Sequence, residues 1–158
     1  MSGAPHVERA AASGPPLGAP SVTVGERMSS PPITVPSDAP IGIVPTLLER
    51  HRITGLPVVD PTGALVGVVS EVDLVRLPTI ALELTPRELL VRHVMSAPAV
   101  TVLASASTAL AGRRMERHGV RRLVVVAEDD DLQPIGVVTA ADLAKTRPAG
   151  EARGGTDA

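Results

Sequence analysis

The chain has 158 residues, 44% of them hydrophobic and 20% charged, with a formal net charge of -2 at pH 7. That is the composition of one globular domain or two small ones, without the excess of cations that grips nucleic acid or anionic membrane. Cysteine and all three aromatic residues are absent, which excludes disulfides, thiolate metal sites, thiol nucleophiles and base stacking on rings.

Residues 1–21 are small, Gly- and Pro-rich and without apolar periodicity, as are residues 147–158, so both read as disordered tails. The first ordered unit, 22–76, opens with an extended piece at 33–35. A helix is expected over 41–51, starting late or bending at Pro45, which lacks the amide that a running helix needs. Strands follow at 56–59 and 65–69 around a polar turn at 60–63, and a short helix begins near Ser70. Residues 77–90 form a linker in which Thr85-Pro86-Arg87-Glu88 signals a short helix. The second unit, 91–146, has an extended piece at 100–102 and a helix at 108–118. That helix has Ser105 or Ser107 as N-cap and Gly119 just past its end. Strands at 123–126 and 135–138, a polar turn at 128–133 and a helix from Thr139 complete it. No run approaches the roughly 20 apolar residues of a membrane helix and no signal peptide is recognisable, so a soluble cytoplasmic protein is expected.

The two units are copies. At an offset of 67, Met28-Ser29 matches Met95-Ser96, Thr34-Val35 matches Thr101-Val102, Glu49-Arg50-His51 matches Glu116-Arg117-His118, and Val58-Val59 matches Val125-Val126. Beyond a turn two residues longer in the second copy, Gly67-Val68-Val69-Ser70 matches Gly136-Val137-Val138-Thr139, and Asp73-Leu74 matches Asp142-Leu143. Neither copy has strands enough for its own core, so the two are expected to pack together as a pseudo-two-fold β-α-β-β-α pair of the α/β (α+β) class.

Val24-Gly25-Glu26-Arg27-Met28-Ser29-Ser30-Pro31, its counterpart at 91–98, the stretches from His51 and His118, and the Gly-x-x-Ser/Thr-x-x-Asp segments at 67–73 and 136–142 together resemble a tandem pair of cystathionine-β-synthase (CBS) domains, a Bateman module. The resemblance covers about residues 24–144. It implies a regulatory rather than catalytic module that senses an adenine ligand such as AMP, ADP, ATP or S-adenosylmethionine in clefts between the copies. It also implies a homodimer, and an output passed to an effector protein of unknown identity. No cofactor is required.

The resemblance places the ribose carboxylates at Asp73 and Asp142, beside Ser70 and Thr139; a carboxylate can accept hydrogen bonds from both hydroxyls of a cis-diol. The other reading of each pair is a helix capping box. Phosphate falls to Arg121 and Arg122, otherwise a surface pair, with Arg52 nearby. The first copy has Thr54-Gly55 in the matching place, so the cleft with Ser70 and Asp73 is expected to hold the better phosphate grip. The base falls beside Thr34, Val35, Thr101 and Val102, which otherwise read as core strand. His51 and His118 read as helix C-terminal cations, and Glu128 to Asp131 as a solvated turn, so no metal site is expected. A ligand-free dimerising scaffold is the alternative function. Nucleic-acid binding has only the Arg113-Arg114, Arg117 and Arg121-Arg122 cluster in its favour.

Overall fold

The structure, a computed structural model, describes residues 21–77 and 88–145. The expected tails, apart from residue 21, and the start of the linker helix at Thr85 lie outside the described residues. In the first half, β1 (Val35–Pro36) pairs parallel with β2 (Gly55–Val59) through the crossover helix α1 (Ile43–His51). β3 (Leu65–Ser70) returns antiparallel and runs into α2 (Glu71–Val75). The second half begins with α3 (Val91–Val94) and repeats the plan: β4 (Thr101–Leu103), α4 (Thr108–His118), β5 (Arg122–Ala127), β6 (Asp130–Thr139) and α5 (Ala140–Ala144). Each half thus holds a three-stranded sheet, β1-β2-β3 or β4-β5-β6. The register repeats with the sequence: Val35 lies opposite Val58, and Val102 opposite Val125.

Local chemistry explains most boundaries. α1 begins at Ile43, so Pro45 falls in its first turn, where an amide has no intrahelical partner to lose. Ser107 is the N-cap of α4, its hydroxyl accepting from the Leu110 amide at 3.0 Å. Gly119 ends that helix at φ 66, a conformation that Arg52 adopts at φ 56 after α1 and that costs a residue with a Cβ about 1 kcal/mol. In the first hairpin Asp60 Oδ1 accepts from the Thr62 hydroxyl at 2.6 Å and from the amides of Thr62 and Ala64. These bonds, that from the Thr62 hydroxyl first, hold the carboxyl below its ordinary pKa.

Two expectations are corrected. β1 and β4 begin later than 33 and 100, at Val35 and Thr101, because strand pairing with β2 and β5 reaches only that far. The polar stretch 128–133 is not a loop: β6 starts at Asp130, opposite Ala127, leaving Glu128 and Asp129 as the turn. The two extra residues lengthen the hairpin, with register shifts at Val125/Val126 and Val126/Ala127 that absorb the insertion.

The segment that opens each copy in sequence packs on the other copy in space. Val24, fully buried, lies in the second core with Val102, Met115, Leu123 and Val138. Its amide donates to the Ala106 carbonyl at 2.8 Å. Reciprocally, Leu89, Val91 and Val94 lie in the first core with Val35, Val44 and Leu56, and the amides of Val91 and Arg92 donate to the carbonyls of Ala39 and Ser37. Fully burying a valine or leucine contributes about 1.5–3 kcal/mol, so each copy's opening segment helps hold the other copy together. Leu65 and Val68 of β3 complete the joint by packing with Ala99, Leu103, Val124 and Val126.

Candidate functional site

Two crossing points tie the copies. Ser96 and Val68 exchange amide-to-carbonyl bonds at 2.8 and 2.9 Å, and Ser29 and Val137 do so at 2.9 and 3.0 Å. Glycine makes both approaches possible. A Cβ on Gly67 would lie 2.7 Å from the Ser96 carbonyl oxygen and 2.8 Å from Met95 Sδ; one on Gly136 would lie 2.9 Å from the Ser29 carbonyl oxygen and 2.6 Å from Met28 Sδ.

At the first crossing, β3 ends at Ser70 and α2 begins, so Asp73 turns back over the helix start. Its Oδ2 accepts from the Ser70 amide at 2.9 Å and from the Ser70 hydroxyl at 3.3 Å. Its Oδ1 accepts from the Ser96 hydroxyl, across the repeat boundary, at 3.0 Å. Asp73 is only 4% exposed. In the second copy, the Thr139 amide donates to Asp142 Oδ2 at 2.8 Å and the Asp142 amide to Thr139 Oγ1 at 3.1 Å. There the remaining oxygen faces Lys145 Nζ at 3.6 Å, on an exposed side chain. Both pairs are therefore capping boxes, and they differ in access: Asp73 is enclosed, whereas Asp142 is half-buried.

Arg121 stands just before β5, whereas Arg122 is its first residue, and the two separate. Arg121 is exposed; Arg122 is half-buried and crosses to the first copy. Its Nη2 donates to the Thr54 hydroxyl. Its guanidinium lies where a Cβ on Gly55 would come within 2.8 Å. The Thr54-Gly55 departure is thus the seat of Arg122. Burial lowers the pKa of Arg122, the charges of Glu71 and Asp73 oppose that shift, and Arg121 adds to it; the guanidinium stays a cation at any physiological pH. Glycine at 55 means that no equivalent cation returns to Asp142.

The other expected residues are placed differently. Arg52 is exposed and lines an open groove of about 470 Å³ on the outer face of α1 and α2, with Thr54 and Glu71 at one side. Val35, Thr101 and Val102 are fully buried, Val35 and Val102 within the two cores. The Thr101 carbonyl accepts from Nε of the buried Arg114 at 2.9 Å. Core strand therefore describes these side chains, and a base could meet them only at the backbone; Thr34, just before β1, is half-buried. Ser96 and Glu71, both beside Asp73 or Arg122, were not singled out from sequence. The signal for Ser96 was the pairing of Met-Ser with an in-strand glycine in both copies, since glycine within a strand marks a close backbone approach.

The comparisons agree with this architecture. The chain belongs to the CBS domain family, which it matches twice, over residues 24–79 and 91–148. It is 28% identical over 130 residues to the L-aspartate semialdehyde sulfurtransferase of Methanocaldococcus jannaschii, covering 82% of this chain and 24% of that protein. The chain therefore spans about a quarter of the length of this curated relative. Among solved structures, a CBS domain pair in complex with 5′-methylthioadenosine and S-adenosyl-L-methionine is 26% identical, with TM-score 0.69 over 78% of this chain and 94% of that one. A CBS domain protein from Pyrobaculum aerophilum complexed with AMP is 27% identical, with TM-score 0.69 over 80% and 93%. A tandem CBS pair is a regulatory module. Among the described residues, no helix is long and apolar enough to cross a membrane.

Proposed function

We propose that this chain binds an adenine nucleotide or related adenosyl ligand between its two repeats and passes the bound state to a partner protein, acting as a sensor and not as an enzyme. The observation that carries the reading is the reach of Arg122 from the second repeat to Thr54 of the first, beside Glu71 and Asp73. A ligand phosphate drawn to that guanidinium lies within reach of the carboxylate that would take the ribose. The Ser96 hydroxyl on Asp73 Oδ1 occupies the position that a ribose hydroxyl would take. Binding would release Ser96 and loosen the crossing at Val68, which couples occupancy to the joint between repeats. The complexes of related pairs with AMP and with S-adenosylmethionine support the ligand class. In this reading the protein is a cytoplasmic homodimer.

Equilibrium dialysis against AMP, ATP or S-adenosylmethionine tests it. A chain without Phe, Tyr or Trp is nearly transparent where adenine absorbs, so bound ligand is read directly at 260 nm. Saturable uptake is expected for at least one of the three. Equal absorbance on both sides of the membrane up to millimolar ligand rejects the sensor. It would then favour the second reading, a ligand-free scaffold, which has its own support in Asp73 being satisfied by Ser70 and Ser96 of its own chain.

A further inference from the structure

We infer that Met28 and Met95 form a paired oxidation site through which a peroxide opens the joint between the repeats. The chain has four methionines and no Cys, Tyr or Trp, so thioethers are the groups that a peroxide oxidises first. Two of the four stand at matching places in the repeats, one beside each crossing. Met95 packs against the first core and Met28 against the second, each carried there by the other copy's opening segment. Their sulfurs fill the space that in-strand glycines leave. Met95 Sδ lies 2.8 Å from where a Cβ on Gly67 would stand, and Met28 Sδ lies 2.6 Å from one on Gly136.

Access and consequence set this pair apart from Met115. Met115 lies inside the second core and is 6% exposed, whereas Met28 and Met95 are half-buried, open to a molecule as small as hydrogen peroxide. The sulfur lone pair attacks one peroxide oxygen, an S–O bond forms as the O–O bond breaks, and the other oxygen leaves as water. Sulfur is oxidised by two electrons and the peroxide is reduced. The sulfoxide is a strong hydrogen-bond acceptor placed on an apolar crossing. The amides of that crossing, those of Val68 and Ser96 or of Ser29 and Val137, already donate to each other's carbonyls. The new oxygen therefore stays unpaired over the glycine, takes an amide from its partner, or swings to water and leaves its place on the core empty. Each outcome weakens the crossing, and the two oxidations act on one joint.

Graded hydrogen peroxide, followed by peptide mapping and thermal melting of the full chain, tests the site. One added oxygen is expected at Met28 and at Met95 well before Met115, with the melting midpoint lower by roughly 5 °C once both are modified. Methionine sulfoxide reductases A and B with a dithiol are expected to restore it. Leucine nearly conserves the volume of methionine, so M28L/M95L is expected to keep its midpoint in the same peroxide. Met95→Gln, a polar side chain of similar length, is expected to lower the midpoint with no peroxide at all. The wild-type comparison stands whether or not the leucine variant folds. Oxidation of Met115 as fast as of Met28 and Met95 overturns the proposal, as does full modification of the pair with an unchanged midpoint. A folded M28L/M95L that loses stability in peroxide as the wild type does overturns it too.

Discussion

Replacing Gly67 with valine lowers stability by about 3 kcal/mol, near the upper end of what overpacking a well-filled interior costs. For an ordered region of this size that is a fall of roughly 10 °C in the melting midpoint, measured by circular dichroism because the chain has no fluorophore. The cause is geometric. The new Cβ would stand 2.7 Å from a backbone oxygen, that of Ser96, and backbone cannot swing aside as a side-chain end does. To relieve the clash the 89–96 segment must lift, which opens the Ser96–Val68 bonds and draws Val91 and Val94 from the first core. Gly136→Val acts on the second crossing for the same reason, somewhat less strongly, because Met28 Sδ, the nearer of its two neighbours, can move. Gly112→Ala is the contrasting case. It sits inside α4 with its nearest foreign atom, Leu143 Cδ1, at 4.0 Å. It is expected to stabilise by about 0.5–1 kcal/mol through helix propensity alone. A Gly67→Val protein with an unchanged midpoint would mean that the copies do not cross as described.

The second large effect is on ligand affinity. Arg122→Ala is expected to weaken AMP binding by about 10- to 100-fold, the scale of a lost charge-assisted hydrogen bond. Adenosine, which has no phosphate, should bind the variant and the wild type about equally. Arg121→Ala is expected to change AMP affinity less than about threefold, because screened, exposed charges contribute little. Gly55→Ala should weaken AMP binding far less than Arg122→Ala, since its methyl group meets only the movable end of the Arg122 side chain and leaves the cation in place. Calorimetric titration of AMP and adenosine into each variant reads all of these. Equal losses for AMP and adenosine in Arg122→Ala would show that the residue holds the repeats together without meeting phosphate.

Much of this architecture could be read from the chain because its information is local or repeated. The shift of offset from 67 to 69 located the insertion in a hairpin, and Pro45 set the late start of α1 through its missing amide. Ser107 and Gly119 bounded α4 by capping chemistry that needs no tertiary context. The exchange of opening segments was hidden because sequence order places Val24 with the first copy, while its amide and side chain find partners in the second only once the chain has folded. The stretch from Glu128 misled for a related reason: acidic, solvated residues read as loop, yet backbone pairing of Ala127 with Asp130 extends the ladder regardless of side-chain type. Thr54-Gly55 was legible as a departure from the second copy but not as the place where Arg122 comes to rest. That meaning resides in contacts between residues 67 and 68 apart in sequence. Likewise the capping box and the ribose carboxylate have one sequence signature, and the fold adds the Ser96 hydroxyl that distinguishes Asp73 from Asp142.

A crystal structure grown with millimolar AMP tests the central claim most directly. The account predicts AMP between the repeats with its phosphate on Arg122, its ribose diol on Asp73, and the Ser96 hydroxyl turned away from that carboxylate. AMP bound at Asp142 alone, or a chain in which Arg122 still rests on Thr54 and Ser96 on Asp73 with no nucleotide beside them, would contradict it.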